Sequence, residues 1–219
     1  MSTSDAPKPV SAPTLESAIT PSRASVKPSA KAGKAKGGKK GKKGGDQDDV
    51  ELPDYISPEP KNAMERREWD RMSSRMEGFH THFRLAFKQL FELADGSFEK
   101  RGLTLPDFMD VAESFLRHLE GHHGIEERYI FPVLAKRMPQ FADEHQEEHD
   151  TIHEGMYKFE VLVEKYRSEP SSYSPEEFRA NLAAWGPVLF YHLNAEVATL
   201  KPDILRRYWT LEEVKRLPM

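Results

Sequence analysis

From residue 62 to the end of the chain, apolar residues return every three or four positions. A chain patterned that way can bury its apolar side chains only as helices packed side by side. Trp69, Met72, Met76, Phe83, Phe87 and Leu90 mark the first helix, expected to run to about Ala94 and to stop at Gly96. A second opens near Pro106 after Thr104, carries Phe108, Val111, Phe115 and Leu116, and reaches about Arg137 with a late bend at Pro132. The turn Met138-Pro139-Gln140 leads to a third, from about Phe141 to Arg167, with Ile152, Met156, Phe159 and Val163 on one face. Ser174, Pro175 and Glu177 read as a capping-box start for the fourth, with proline at the first helical position. Phe178, Leu182, Trp185 and Leu189 continue as its stripe, and Gly186-Pro187 is expected to kink it. Thr210 and Glu213 would cap a last short helix. No segment reads as a run of strands. The expectation is an all-α fold: an antiparallel up-down four-helix bundle over residues 62–202, with 203–219 as a C-terminal extension holding a short helix.

The chain ahead of that pattern is of another kind. Residues 1–45 carry nine Lys and one Arg against Asp5 and Glu16, a net +8 in a chain whose total is −4, which leaves −12 for the rest. Pro, Ser, Ala and Gly dominate this stretch, and Lys31 to Lys43 contains only Lys, Ala and Gly. Such a segment buries too little apolar surface to offset ordering entropy, so residues 1–45 are expected to be a disordered basic tail and 46–61, with Pro53, Pro58 and Pro60, a linker. A nucleic-acid partner is expected only through the lysine stretch, where no aromatic is interleaved for base stacking; a solvated tail is the better reading. No apolar run approaches the roughly 20 residues that span a bilayer, and the N-terminus lacks the basic-then-apolar pattern of a secretory signal. The cytoplasm is the expected compartment, with the nucleus as the alternative read from the tail. There is no cysteine, which excludes disulfides, thiolate metal sites and thiol catalysis. Any metal must be held by nitrogen and oxygen.

The nine histidines, at 80, 82, 118, 122, 123, 145, 149, 153 and 192, all fall within the expected helices. His122 and Glu126 are four apart, as are His149 and His153, and His192 and Glu196. Residues at i and i+4 share a helix face, so each pair can aim two donors at one place. His80 lies on the apolar stripe of the first helix. Measured from the connecting turns, these positions sit at depths that differ by no more than about 6 Å at 1.5 Å per residue. Five imidazoles and two carboxylates converging in a core make physical sense only with metal, because buried carboxylates are costly unless paired or coordinated. Seven donors exceed what one ion takes from a protein. Two ions bridged by Glu126 and Glu196 would use them all, with His149, His153 and His192 on one ion and His80 and His122 on the other.

The run His122-His123-Gly-Ile-Glu126-Glu127, followed by Phe131-Pro132, resembles the H-H-x-x-E-E…F-P signature of hemerythrin-like, or HHE cation-binding, domains. His80-x-x-Phe-Arg, His149-Asp-Thr-Ile-His153 and His192-x-x-x-Glu196 resemble the family's other ligand motifs, in family order, over roughly residues 62–202. The resemblance implies a non-haem di-iron centre in a four-helix bundle, binding dioxygen, another small diatomic or peroxide, or sensing iron or redox state. The last pair is His-x3-Glu where oxygen carriers have His-x4-Asp, a departure from the oxygen-carrier pattern. His145 with His149 is a competing pair on the third helix, and His123 is a candidate to replace or supplement a neighbouring donor. His82 and His118 are expected at the surface, Glu127, Glu147, Glu148 and Glu154 as solvated charges, and Trp185 and Leu189 as core or as the apolar wall of a ligand pocket.

Two other classes compete. A ferritin-like di-iron oxidase wants Glu-x-x-His on two helices, and Glu77-x-x-His80 and Glu120-x-x-His123 have that form. An adaptor stabilised by its metal would carry no oxygen chemistry, and zinc accepts the same donors. No further general acid or nucleophile stands out, so turnover is not implied.

Overall fold

A computed structural model describes residues 12–25 and 56–219. The lysine stretch, with its nucleic-acid reading, and most of the linker lie outside the described residues. Those described form no strand, and eight α-helices: α1 Leu15–Ile19, α2 Ala63–Leu93, α3 Leu105–Ile125, α4 Phe131–Leu134, α5 Glu144–Ser168, α6 Pro175–Thr199, α7 Pro202–Leu205 and α8 Leu211–Val214. The four long ones pack in a closed ring of neighbours, α2 on α3, α3 on α5, α5 on α6 and α6 on α2.

Local chemistry fixes where each long helix begins. The Asn62 side chain accepts from the amides of Met64 and Glu65 at the start of α2. Thr104 and Asp107 form a reciprocal capping box at α3, with Pro106 in its first turn. Ser174 caps α6 by accepting from the Glu177 amide, but the Glu177 carboxylate turns away to Lys165 and the Tyr166 hydroxyl, so only half of the expected box forms. α2 ends as expected, with Gly96 at φ 91° in the left-handed region beyond it.

The second helix does not simply bend at Pro132. α3 passes into a π turn over Glu126–Ile130, closed by the Phe131 amide on the Glu126 carbonyl, and then into α4. The wider turn sits immediately before the proline, whose missing N–H and crowded ring disfavour regular helix. α6 remains helical through Pro187.

Two apolar clusters result. The larger gathers Phe83, Phe87, Phe115, Phe159, Phe178, Trp185 and their neighbours on α2, α3, α5 and α6. The smaller gathers Trp69, Met72 and Met76 of α2 with Ile130, Phe131 and Leu134, and with Leu205, Tyr208, Trp209, Val214 and Leu217 of the C-terminal segment. Residues 203–219 are thus part of a core. The end of the linker is pinned to them: the Ser57 hydroxyl donates to the Trp209 carbonyl at 2.8 Å, and its amide to the Arg206 carbonyl at 2.9 Å.

One stretch expected to be disordered is not. Leu15–Ile19 forms a helix capped reciprocally by Thr14 and Ser17, with Ala18 fully buried against α6. The chain passes so close that a side chain at Gly186 would collide with the Ala18 carbonyl and the Phe87 ring. Averaging composition over 45 residues hides one apolar face, Leu15, Ala18 and Ile19, that is small enough to dock there.

Candidate metal centre

Between the two apolar clusters, fully buried polar groups face one another. His80, His123, His149, His192, Glu126 and Glu196 are buried, and His122 nearly so. His80 comes from α2, His122, His123 and Glu126 from α3 and the π turn, His149 from α5, and His192 and Glu196 from α6.

The tautomers follow from what lies behind each ring. His80 Nδ1 is 2.8 Å from the Leu193 carbonyl, which can only accept, so that nitrogen carries the proton. His149 Nδ1 donates likewise to Glu127 at 2.8 Å, and His192 Nδ1 to Glu148 at 3.0 Å. In the neutral ring the other nitrogen then presents a bare lone pair. Two of those lone pairs point at each other, His149 Nε2 lying 3.1 Å from His192 Nε2, and the third faces another imidazole, His80 Nε2 lying 3.2 Å from His122 Nε2. Carboxylates close the ring of acceptors. Glu126 approaches His122 Nε2 at 2.9 Å with one oxygen and His149 Nε2 at 3.5 Å with the other. Glu196 Oε2 lies 3.3 Å from His80 Nε2 and 3.8 Å from His192 Nε2.

None of the four carboxylate oxygens has a hydrogen-bond partner of proper geometry, nor does either nitrogen of His123. Buried polar atoms are almost always satisfied, so acceptors assembled without donors call for a cation. Metal bonds of about 2.1 Å place adjacent donors roughly 3 Å apart, the spacing seen here. Two four-donor groups are able to hold an ion, His80, His122, Glu126 and Glu196 in the first and His123, Glu126, His149 and His192 in the second, and Glu126 belongs to both. Two three-donor groups lie alongside them, Glu127, His149 and His153, and His145, Glu148 and His192.

The electrostatics agree. Burial, reinforced by neighbouring imidazoles, holds His122 down at about 3 and pushes His123 and His149 well below the usual histidine range. Burial lowers His192 too, although Glu148 opposes it. Neutral imidazoles are what a metal requires. Burial and the adjacent Glu196 push Glu126 well above the ordinary carboxylate range, whereas Glu196, despite its burial, is pulled down by His80.

Six of the seven residues expected from spacing meet here; His153 does not. It is 30% exposed and binds Glu120 at 3.1 Å and Glu127 at 3.2 Å. Its partner Glu127 also accepts from His149 at 2.8 Å, so His153 stands beside the centre through that shared carboxylate. His123 takes its place in the second group. Successive residues on a helix point about 100° apart, so His122 turns toward His80 on α2 while His123 stacks on His149 of α5, ring centroids 3.9 Å apart.

His145 also stays outside, donating to Glu148 at 3.0 Å. Glu148 is buried; burial would raise its pKa, but bonds from His145 and His192 overcome that and hold it at about 2. Glu148 and Glu127, expected as solvated charges, are instead the groups that orient two imidazoles. The clue available in sequence was adjacency, since Glu148 precedes His149 and Glu127 follows Glu126. Glu147 and Glu154 do lie outward, near Arg23 and Lys158. Neither Glu77 nor Glu120 joins the centre; the first pairs with Arg84 and the second with His153. Trp185 and Leu189 are core side chains, Trp185 against Gly155. The cavity beside the centre lies elsewhere, between α2 and α3, where His82 and His118 are exposed at its edge.

The family model for the hemerythrin HHE cation-binding domain matches residues 71–204. A curated relative, the dimeric xanthone biosynthesis cluster protein R11 of Cryptosporiopsis sp. (strain 8999), is 29% identical over 117 residues, which cover 50% of this chain and 44% of that protein. The chain thus matches less than half the length of that relative. No solved structure matches. No helix among the described residues is long and apolar enough to cross a membrane.

Proposed function

This chain belongs to the hemerythrin HHE cation-binding family, and from that premise we propose that it holds two iron ions in an antiparallel up-down four-helix bundle and binds a small ligand there. The ligand is dioxygen, another diatomic or peroxide, bound for carriage or as a signal of iron or redox state. His80 and His122 would hold the first ion, and His123, His149 and His192 the second, with Glu126 shared between them and Glu196 beside His80 and His192. The observation that carries this reading is the set of buried imidazole nitrogens and carboxylate oxygens facing one another, with no hydrogen-bond partner for the oxygens of Glu126 and Glu196 or for His123.

Iron supplies reversible redox chemistry and open coordination positions. The chain supplies the rest. Leu193, Glu127 and Glu148 hold the ring protons on Nδ1, so that each Nε2 is free to ligate. The apolar clusters on both sides exclude water and strengthen each electrostatic contact. Five histidines against two carboxylates favour this reading over a ferritin-like oxidase.

Metal analysis of the purified full chain, with its optical spectrum, tests the proposal. Two irons per chain with the absorption of a histidine-rich ferric pair are expected. One zinc per chain would end the oxygen-chemistry reading and leave a metal-stabilised helical protein.

A further inference from the structure

A cavity of about 570 Å³ lies between α2 and α3. A diatomic ligand needs no more room than a water molecule, whose share of liquid volume is about 30 Å³. The cavity exceeds that more than tenfold and falls within the roughly 300–1,000 Å³ typical of sites for organic ligands. Its buried end is made by His122 and Glu126, both donors of the first metal group. Phe79, Phe83, Ile125 and Ile130 give it apolar walls, and the exposed His82, Arg117 and His118 stand at its mouth.

A second observation shows how the space is kept open. Gly78 on α2 and Gly121 on α3 both line the cavity, and a Cβ on either would meet nothing within 4 Å. Glycine weakens a helix interior relative to alanine. Neither glycine is required by a close backbone approach, so the structure gives them one visible consequence: no side chain projects into the slot.

We propose that this cavity binds a flat, uncharged aromatic alcohol of two or three fused rings. Its rings lie between Phe79, Phe83 and the two isoleucines, and its hydroxyl turns toward His122 and Glu126. The aromatic and isoleucine walls favour a flat ring system, and Glu126, whose carboxylate oxygens keep a free lone pair even when they ligate, provides the polar end. A charged group would lose its hydration against the apolar lining, so a neutral hydroxyl fits better. The inference deepens the proposed reading of the centre and rests on it for the role of the inner end.

The test uses 2-naphthol titrated into the full chain, iron-loaded and metal-free, followed by fluorescence, with iron content measured in the same samples. Saturable one-to-one binding is expected, weaker for naphthalene, which lacks the hydroxyl. Gly121→Leu should weaken 2-naphthol by roughly tenfold or more, the loss that about 1.4 kcal/mol represents, with iron content unchanged; leucine suits a helix better than glycine, so folding is preserved. Phe79→Ser, at an exposed position, should weaken binding without touching the core. No saturable binding, or wild-type affinity in both variants, overturns the proposal, and equal affinity for naphthalene overturns the orientation. A chain that lacks iron yet binds 2-naphthol and loses it in Gly121→Leu would fail the metal reading while supporting the cavity. An iron-loaded chain that ignores 2-naphthol would do the reverse.

Discussion

The two halves of the centre are built differently. On one side His80 rests on a neutral backbone carbonyl, and His122 borders the cavity between α2 and α3. On the other, His149 and His192 are each backed by a carboxylate, and His123, His149 and His192 are all buried. A carboxylate behind an imidazole makes it a more basic ligand than a carbonyl does. On the proposed reading the second position would be the tighter metal site, with two of its three imidazoles backed by carboxylates, and the first would be where an incoming ligand reaches the centre.

That asymmetry can be broken at its shared member first. Glu126→Ala removes the one carboxylate common to both groups and should strip both ions, taking the metal content from two per chain toward zero. Next in size, His123→Ala should empty the second position and leave the first. Metal analysis should return about one ion per chain, the outcome of deleting a ligand where even an outer-shell change costs about 10–100-fold in affinity. Glu148→Gln is that outer-shell change. It should weaken the second ion by about 10–100-fold, read by competition with a chelator, and leave the first unaltered. His153→Ala, at the rim, should have the smallest effect, within about threefold on either ion, since exposed ion pairs contribute little.

Acid should expose the same difference in the metal-free chain. An imidazole whose folded pKa lies below its unfolded value contributes stability above the unfolded pKa, near 6.5, and that stability is lost as pH falls toward the folded value. His122, His123, His149 and His192 are all shifted this way. Glu148, held at about 2 against an ordinary 4.5, adds a loss in the same direction at lower pH. Glu126, shifted upward, opposes them with a single proton. Four outweigh one, so unfolding midpoints should drop steeply from about pH 6.5 downward. Three of the four imidazoles sit in the second half, so His123→Ala should flatten the slope. A midpoint insensitive to pH between about 7 and 5 would contradict the account.

Much of this was legible in the sequence. The apolar period along Trp69, Met72, Met76, Phe83, Phe87 and Leu90 located α2, and each of those residues is buried. Thr104 and Thr210 marked helix starts that the backbone uses. The i, i+4 pairs His122–Glu126 and His192–Glu196 do share a face. Finer placement was not legible. Agreement in depth to about 6 Å is one helical turn, too coarse to separate His149 from His153. Periodicity places a residue on a face but does not say which of two flanking helices the adjacent residue will meet, so His123 could be named but not placed. Glu127 and Glu148 look like other acidic residues until the imidazole behind which each one stands is known. The docking of Leu15–Ile19 depends on a gap at Gly186 that exists only once α2 and α6 are packed.

The central claim is a pair of ions sharing Glu126, with His123 rather than His153 completing the second position. Crystals of the iron-loaded full chain, with diffraction recorded on both sides of the iron absorption edge, test it directly. The account predicts two anomalous peaks about 3.5–4 Å apart, one against His80 and His122, the other against His123, His149 and His192, with Glu126 between them. A single peak, or a second one ligated by His153 with His123 turned away, would contradict it.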